Sequence, residues 1–203
     1  VLDSFRAILD LDPSFEVIGT ATTAEEGRNL VLETRPDVAV FDLEFPGLHA
    51  FDVLPQICER QPPTKIVILT AHLTDALIHQ AIRLNASGYL LKHESAEFVR
   101  DALKNVSRGR QAFSAAVKDR IVLNEETQKY EFCSPRPVFK LSMMQLSILR
   151  HLADGKTVKE IARLLDRSEK SIDSHKYRIM HRLDVHDRVE LCRYAIREGV
   201  SIL

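Results

Sequence analysis

The sequence predicts two domains of different fold class, an α/β domain with a parallel sheet and an all-α domain of four helices. Up to about residue 109, short apolar runs alternate with segments of helical periodicity, as in parallel sheets wound by helical crossovers. Beyond residue 140 only helical periodicity remains. Charge divides in the same way, because residues 140–203 carry 13 Lys and Arg against 9 Asp and Glu, whereas the remainder carries 15 against 20.

The first domain reads as strands and helices in alternation. Strands are predicted at 15–21, 38–41, 66–69 and 88–91, and the last three are continuous apolar runs typical of strands buried on both faces. Helices are predicted at 2–11, from Thr22 or Thr23 to 34, up to about 60, at 73–84 and from Ser95 to 109. Thr22 or Thr23 with Glu25 or Glu26 forms a capping box, and Ser95 is an N-cap.

Polar side chains follow three of these predicted strands. Asp42 comes after 38–41, Thr70 after 66–69 and Lys92 after 88–91. The carboxyl ends of parallel strands meet at one edge of the sheet, where ligands bind. A carboxylate can act there as a nucleophile, while a hydroxyl and an ammonium bind phosphoryl oxygens. The sequence therefore predicts a phosphoryl-accepting site.

The second domain contains a helix, a tight turn and a further helix. Residues 159–165 have one apolar face, and Ser168 is placed to cap a helix whose inner face carries Ile172, Ile179 and Leu183. A capping box at Ser142 and Gln145 opens a preceding helix. A fourth helix runs over 187–197, with apolar residues at 189, 191, 192, 195 and 196.

The outer face of the helix that follows Ser168 is polar and basic. Such a helix, presented by a preceding one, fits the major groove of double-stranded DNA. The candidates to face the bases are Lys170, Ser171, Ser174, His175, Tyr177 and Arg178. The candidates to contact phosphates are Lys176, Arg182 and Arg188.

Longer motifs in both domains resemble one family. L-S-x-x-Q-x-x-I-L-x-x-L-A-D-G-K-T-x-K-E-I-A-x-x-L at 141–165, S-E-K-S-I at 168–172, His175 and R-x-E-L-x-x-Y-A at 188–195 resemble the LuxR-type helix-turn-helix domain of NarL/FixJ-type response regulators. D-V-A-V-F-D-L-x-x-P-G at 37–47, K-I-V-I-L-T-A at 65–71 and G-Y-L-L-K at 88–92 resemble the receiver domain. The resemblance implies a flavodoxin-like receiver over 1–112, a linker over 113–138 and a DNA-binding domain over 139–203. Within the linker, the residues themselves predict a helix over 115–123 and an extended, proline-containing spacer over 133–137.

The resemblance also implies a function. The chain would be a cytoplasmic, homodimeric transcriptional regulator of a two-component system, without enzymatic activity and with no catalytic residue of its own. A sensor histidine kinase would phosphorylate Asp42, Thr70 and Lys92 would contact the phosphoryl group, and Tyr89 would be the aromatic switch residue. The Pro46-Gly47 turn would shape the loop beside the site.

Two features of this chain depart from the family pattern. Receivers carry an acidic pair after their first strand that holds Mg²⁺, and neither strand nor pair is found in this chain. In the receiver strand order 2-1-3-4-5, that first strand would lie between the strands predicted at 15–21 and 38–41. Asp42 and the backbone carbonyl of Glu44 remain as Mg²⁺ ligands, fewer than this hard cation needs. We expect the native protein to extend upstream; the alternative is a complete chain with a degenerate receiver that binds DNA without phosphorylation. The second departure is Asp173, where the family commonly has a basic residue.

Other classes of function fit less well. A haloacid-dehalogenase-like phosphatase would need a second Asp two residues after Asp42, where Glu44 stands. A module that docks only a protein partner remains an alternative, and the salt dependence of DNA binding would separate it. The chain has no apolar run long enough for a membrane span and no signal peptide. Its three cysteines follow no disulfide or zinc spacing.

Overall fold

The computed structural model describes residues 2–45, 47–60, 63–127, 129–132 and 136–201. They divide into two compact units, one formed by residues up to 71 together with 84–117 and the other by 72–83 together with 118 onward. In chain order the elements are α1 Leu2–Asp10, α2 Ala24–Thr34, β1 Val38–Phe41, α3 Ala50–Glu59, β2 Lys65–Thr70, α4 Asp75–Arg83, β3 Gly88–Leu91, α5 Ala96–Ser107, β4 Ala112–Phe113, α6 Ala115–Lys118, β5 Ile121–Asn124, β6 Lys129–Phe132, a 3-10 turn Pro137–Lys140, α7 Met143–Ala153, α8 Val158–Leu164, α9 Glu169–Leu183 and α10 Arg188–Arg197.

A parallel sheet with strand order β1-β2-β3-β4 forms the centre of the first unit. The predicted strands at 38–41, 66–69 and 88–91 are confirmed. In the register, Val40 lies opposite Val67 and Ile68 lies opposite Tyr89. Every residue of β3 is buried, as its unbroken apolar run predicts. The carboxyl ends of these strands therefore meet at one edge, as the site prediction requires.

The predicted strand at 15–21 was wrong, because the described chain forms no strand there. The segment has no regular secondary structure, and Ile18 is 48% exposed. A strand exists only when a neighbour accepts and donates its backbone hydrogen bonds. In the predicted strand order another strand would lie between this segment and β1, and none of the described residues supplies it.

Strand β4 was not predicted, and a glycine permits its approach. A Cβ added at Gly88 would lie 2.8 Å from the carbonyl oxygen of Ala112. The missing side chain thus lets the two backbones pair, with Gly88 opposite Ala112 and Tyr89 opposite Phe113. Two apolar residues are too short a run for periodicity to identify as a strand.

The N-caps predicted from sequence are present at the starts of α2 and α5 in the first unit. The Thr23 side chain accepts from Glu26 N, and the Glu26 carboxylate accepts from the backbone N–H groups of Thr22 and Thr23, which completes the capping box. Ser95 accepts from Phe98 N at the start of α5. Helix α5 then buries Val99, Leu103 and Val106 in a cluster with residues of β2 and β3.

The helices predicted for the C-terminal domain are confirmed as α7 to α10 in the second unit. Ser142 and Gln145 form the predicted capping box, and Ser168 accepts from Ser171 N at the start of α9. Their buried faces form one apolar cluster that includes Leu146, Leu149, Leu152, Ile161, Ile172, Ile179, Leu183 and Leu191. The apolar residues of α10 differ in burial, because Leu191 and Ala195 are buried whereas Val189 and Ile196 are exposed.

The predicted linker contains a β-hairpin in place of part of a predicted helix. The helix predicted at 115–123 ends at Lys118, and β5 then pairs antiparallel with β6, Ile121 opposite Phe132. The prediction was wrong at 121–123 because the hairpin register, which depends on the partner strand, overrides local periodicity. The predicted extended spacer at 133–137 lies partly outside the described residues.

Within the described parts of the chain, no helix is both long and apolar enough to cross a membrane.

Candidate functional site

The carboxyl edge of the sheet brings the predicted phosphoryl site together. Asp42 directly follows β1, Thr70 ends β2 and Lys92 directly follows β3. The Lys92 ammonium donates to Asp42 Oδ2 at 2.5 Å, and Asp42 Oδ1 accepts from the backbone N–H of Leu43 at 2.7 Å and of Glu44 at 3.3 Å. The carboxylate is therefore held by donors on both of its oxygens.

Electrostatics at this edge favour a charged Lys92. Burial alone would lower its pKa, but the hydrogen bond and the attraction from Asp42, with a smaller contribution from Glu44 at 3.5 Å, raise the pKa above the ordinary lysine value. Lys92 is thus a cation at neutral pH. It can compensate the negative charge that a phosphoryl group would bring to Asp42.

Thr70 and Tyr89 are both fully buried. The backbone carbonyl of Thr70 accepts from Lys92 N at 2.9 Å, which ties the end of β2 to the residue that contacts Asp42. Tyr89 lies inside β3, and its backbone carbonyl accepts from Ser114 N. The structure thus brings Asp42, Thr70 and Lys92 to one edge and places Tyr89 in the adjoining core. Of the predicted turn, Gly47 has φ +85° and Pro46 lies outside the described residues.

Asp42 and Glu44 supply only part of the ligand set that Mg²⁺ needs. Within the described chain no group of three His, Cys, Asp or Glu residues is placed to hold a metal. The Asp42 carboxylate and the Glu44 carbonyl are oxygen donors of the kind Mg²⁺ prefers, and Mg²⁺ is often held by one or two carboxylates with water in the other positions. These residues could therefore contribute ligands but would not complete the shell.

The second candidate site is the outer face of α9. Helix α8 ends at Leu164, Asp166 takes a left-handed conformation with φ 50°, and Arg167 N donates to Ala162 O, which makes the tight turn before Ser168. Ile172 and Ile179 are completely buried, so the opposite face of α9 points outward.

The predicted DNA-facing residues all lie on α9 except Arg188, at the start of α10. Lys170, Ser174, Tyr177, Arg178, Arg182 and Arg188 are exposed, whereas Ser171, His175 and Lys176 are half-buried. Tyr177 is 64% exposed, and with Arg178, His181 and Arg182 it lines a shallow open depression. The Nδ1 atom of His175 is buried and has no hydrogen bond to any described residue.

Three predicted phosphate contacts also have partners within the second unit. Lys176 Nζ donates to Asp173 Oδ1 at 2.6 Å, Arg182 donates to Lys140 O at 2.9 Å, and Arg188 donates to Lys156 O at 2.9 Å. Sequence reasoning missed the first of these pairs. The signal was present, because an acid and a base three residues apart are neighbours on a helix surface.

Comparison with known proteins identifies the family of each domain. Residues 1–104 match the family model "Response regulator receiver domain", and residues 140–195 match "Bacterial regulatory proteins, luxR family". The transcriptional regulatory protein LiaR of Bacillus subtilis (strain 168) is 34% identical over 191 residues, 94% of this chain and 89% of LiaR. The response regulator UvrY of Escherichia coli (strain K12) is 29% identical over 196 residues, 96% of this chain and 88% of UvrY.

Solved structures agree on the fold. RcsB from Salmonella enterica serovar Typhimurium, bound to promoter rprA in the presence of phosphomimetic BeF3-, has a TM-score of 0.67 at 23% identity, over 95% of this chain and 91% of that one. Another Salmonella RcsB structure has a TM-score of 0.71 at 24% identity. With the sheet-edge site, the helix-turn-helix and both family matches in place, this chain belongs to the two-component response regulators, transcriptional regulators that join a receiver domain to a LuxR-type DNA-binding domain.

Proposed function

We propose that the chain binds double-stranded DNA through α9 and that a sensor histidine kinase switches it by phosphorylating Asp42. The observation that carries this proposal is the contact between Lys92 and Asp42 at the edge that also holds Thr70. The domains would be a receiver over 1–112, a linker over 113–138 and a DNA-binding domain over 139–203. The protein would act in the cytoplasm, where its DNA partner is, and would catalyse no reaction of its own on other molecules.

Phosphorylation would begin with attack of an Asp42 carboxylate oxygen on the phosphorus of the kinase phosphohistidine. A P–O bond forms, the P–N bond breaks, and the electron pair returns to the imidazole. Lys92 would move from the carboxylate to the new phosphoryl oxygens, and the Thr70 hydroxyl would donate to another. Receiver domains generally bind Mg²⁺, which neutralises phosphoryl charge; Asp42 and the Glu44 carbonyl would contribute to holding it. Tyr89, which lies opposite Ile68 of the strand that Thr70 ends, would respond as the switch residue.

On DNA, α9 would enter the major groove. Lys170, Ser171, Ser174, His175, Tyr177 and Arg178 would face the bases, and Lys176, Arg182 and Arg188 would lie near phosphates. RcsB has been solved as dimers bound to DNA, and a homodimer of this chain would read half-sites about 34 Å apart.

A second candidate is a regulator that binds DNA without phosphorylation. The observation that favours it is the incomplete set of Mg²⁺ ligands beside Asp42, to which the Asp42 carboxylate and the Glu44 carbonyl contribute but which no further group among the described residues completes.

Mass spectrometry with acetyl phosphate and Mg²⁺ tests the switch. Wild type should gain about 80 Da as one phosphoryl group is added, and Asp42→Asn should gain nothing. Asp37→Asn, the same change at the opposite end of β1, is the control and should behave as wild type. In a parallel DNA-binding titration, phosphorylation should tighten binding about tenfold, equal to ~1.4 kcal/mol. DNA binding without a mass gain would overturn the switch and support the second candidate.

A further inference from the structure

The recognition helix carries one acidic side chain on the turn that a major-groove helix uses to contact bases. Asp173 is the fifth residue of α9, and recognition helices contact base edges with their N-terminal residues. Its side chain is 46% exposed. An isolated carboxylate at this place would be repelled by DNA phosphates, so its presence needs a physical reason.

Lys176 removes that repulsion. Its ammonium donates to Asp173 Oδ1 at 2.6 Å and lies 4.9 Å from the centre of the Tyr177 ring, with only 21% of the lysine side chain exposed. These two contacts, with Asp173 and Tyr177, hold the ammonium against the surface of α9. The pair is close to neutral, and the rotamer of Asp173 is fixed by the bond to Oδ1.

The second carboxylate oxygen is left available. Asp173 Oδ2 has no hydrogen bond to any described residue, and Asp173 shares the outward face of α9 with Tyr177, one turn later. In the major groove, the cytosine N4 amino group is a donor, and Asp and Glu are the side chains that accept from it. Asp173 is held through Oδ1, so its Oδ2 can accept a hydrogen bond from the cytosine N4 amino group.

We propose that Asp173 is a specificity-determining residue that selects a cytosine in each half-site, and that Lys176 is a positioning residue that neutralises and orients it. This inference rests on the proposed DNA-binding function. It replaces the phosphate contact proposed above for Lys176 with a contact to Asp173. It also requires a C·G pair at one fixed position of the operator.

Selection of binding sites from a randomised pool of duplex DNA, using the full chain, tests the base preference. Wild type should enrich C at one position per half-site, by about tenfold over other bases. Asp173→Asn should move the preference at that position to A, because an asparagine amide pairs with adenine N6 and N7. Asp184→Asn is the matched control: it makes the same charge change at the far end of α9, where φ is 55° and Asn is well tolerated. It should keep the cytosine.

The role of Lys176 needs a double-mutant comparison. Lys176→Met should weaken binding several-fold by leaving the carboxylate unpaired, and adding Asp173→Asn should restore most of the loss on a site carrying A. The slope of log K against log salt should stay unchanged in the double variant. If Lys176 instead contacted a phosphate, Lys176→Met would reduce the magnitude of that slope by about 0.9 per protomer, and adding Asp173→Asn would restore no affinity.

The possible failures are distinguishable. If wild type enriches no sequence and retains no DNA, the proposed DNA-binding function fails. If wild type and Asp173→Asn enrich the same bases at every position, DNA binding stands and the assignment of Asp173 is overturned.

Discussion

At the scale of single residues, His79 shows what burial does to an ionisable group. Its ring lies 4.6 Å from Phe139 and 5.9 Å from Phe132, measured between ring centres, and its Nδ1 is buried without a hydrogen bond to any described residue. Burial, with a smaller effect from the nearby Arg83 cation, lowers the pKa of His79 to about 4. The folded protein thus holds this imidazole neutral.

This shift makes stability depend on pH. The unfolded chain binds a proton at His79 near pH 6.5 and the folded chain only near pH 4, so stability is full above pH 6.5 and declines as pH falls towards 4. The loss should be on the order of 2 kcal/mol, because part of the ring stays accessible and the penalty is partly screened.

His79→Leu should flatten that part of the profile, measured as the urea midpoint of the helical signal between pH 7 and pH 4.5. His186→Leu, at an exposed histidine, is the control for the loss of a histidine side chain. An unaltered pH slope in His79→Leu would contradict the assignment.

At the scale of elements, helix α4 holds the linker hairpin at both of its ends. Asp75 accepts from Arg120, just before β5, and from Arg136, after β6, each at 2.8 Å. Phe132 of β6 also contacts His79 of α4, with 5.9 Å between the ring centres. A two-stranded hairpin is marginal in water by itself, so these contacts with α4 are what stabilise β5 and β6.

Asp75→Asn should loosen the hairpin. Losing two charge-assisted bonds should lower its local opening free energy by about 1 kcal/mol, so backbone amides of β5 and β6 should exchange about fivefold faster. Hydrogen exchange followed by mass spectrometry measures this directly. Asp119→Asn, an exposed aspartate beside Arg120, serves as the control. Equal exchange rates in wild type and Asp75→Asn would show that the ion pairs do not hold the hairpin.

Among the elements, those with their own local signals were the ones the sequence predicted. The helices α7 to α10 have apolar stripes and caps, and β1 to β3 are continuous apolar runs between turns. The hairpin and β4 escaped prediction because their pairing depends on partners elsewhere, Phe132 opposite Ile121 and Ala112 opposite Gly88. For the same reason the segment 15–21, with strand-like residues but no partner, is not a strand.

At the scale of the whole molecule, basic and acidic residues are concentrated in different parts of the chain. The excess of Lys and Arg over Asp and Glu in residues 140–203 contrasts with the acidic remainder. Lys170 and Arg178 are exposed on the outer face of α9. A DNA-binding surface of this kind releases counterions from phosphates, and its affinity then depends strongly on salt.

Salt should therefore weaken DNA binding steeply. If each protomer of a dimer neutralises about two phosphates, log K should fall with log salt at a slope of about −3.6, which is about a 150-fold loss of affinity between 50 and 200 mM. Fluorescence anisotropy with a labelled duplex gives the slope. Lys159→Met, at an exposed lysine on α8, is the comparison for Arg182→Met, which should reduce the slope because Arg182 is a proposed phosphate contact. Affinity that does not change with salt would favour a protein-docking module.

For the candidate sites, the sequence by itself determined which residues meet. Asp42, Thr70 and Lys92 each follow an apolar run, and parallel strands bring their carboxyl ends to one edge whatever surrounds them. Ser168 and the spacing of Ile172, Ile179 and Leu183 likewise determined which face of α9 is outward, because helical periodicity is a local property.

Only the tertiary structure decided what each side chain does there. It shows that Lys92 contacts Asp42, that Lys176 is drawn to Asp173, and that Arg182 and Arg188 donate to backbone carbonyls of Lys140 and Lys156. It also decided that α4 holds the hairpin and that His79 is neutral. These outcomes depend on distances between residues far apart in the chain and on burial, which shape pairing and pKa but leave no periodic trace in the sequence.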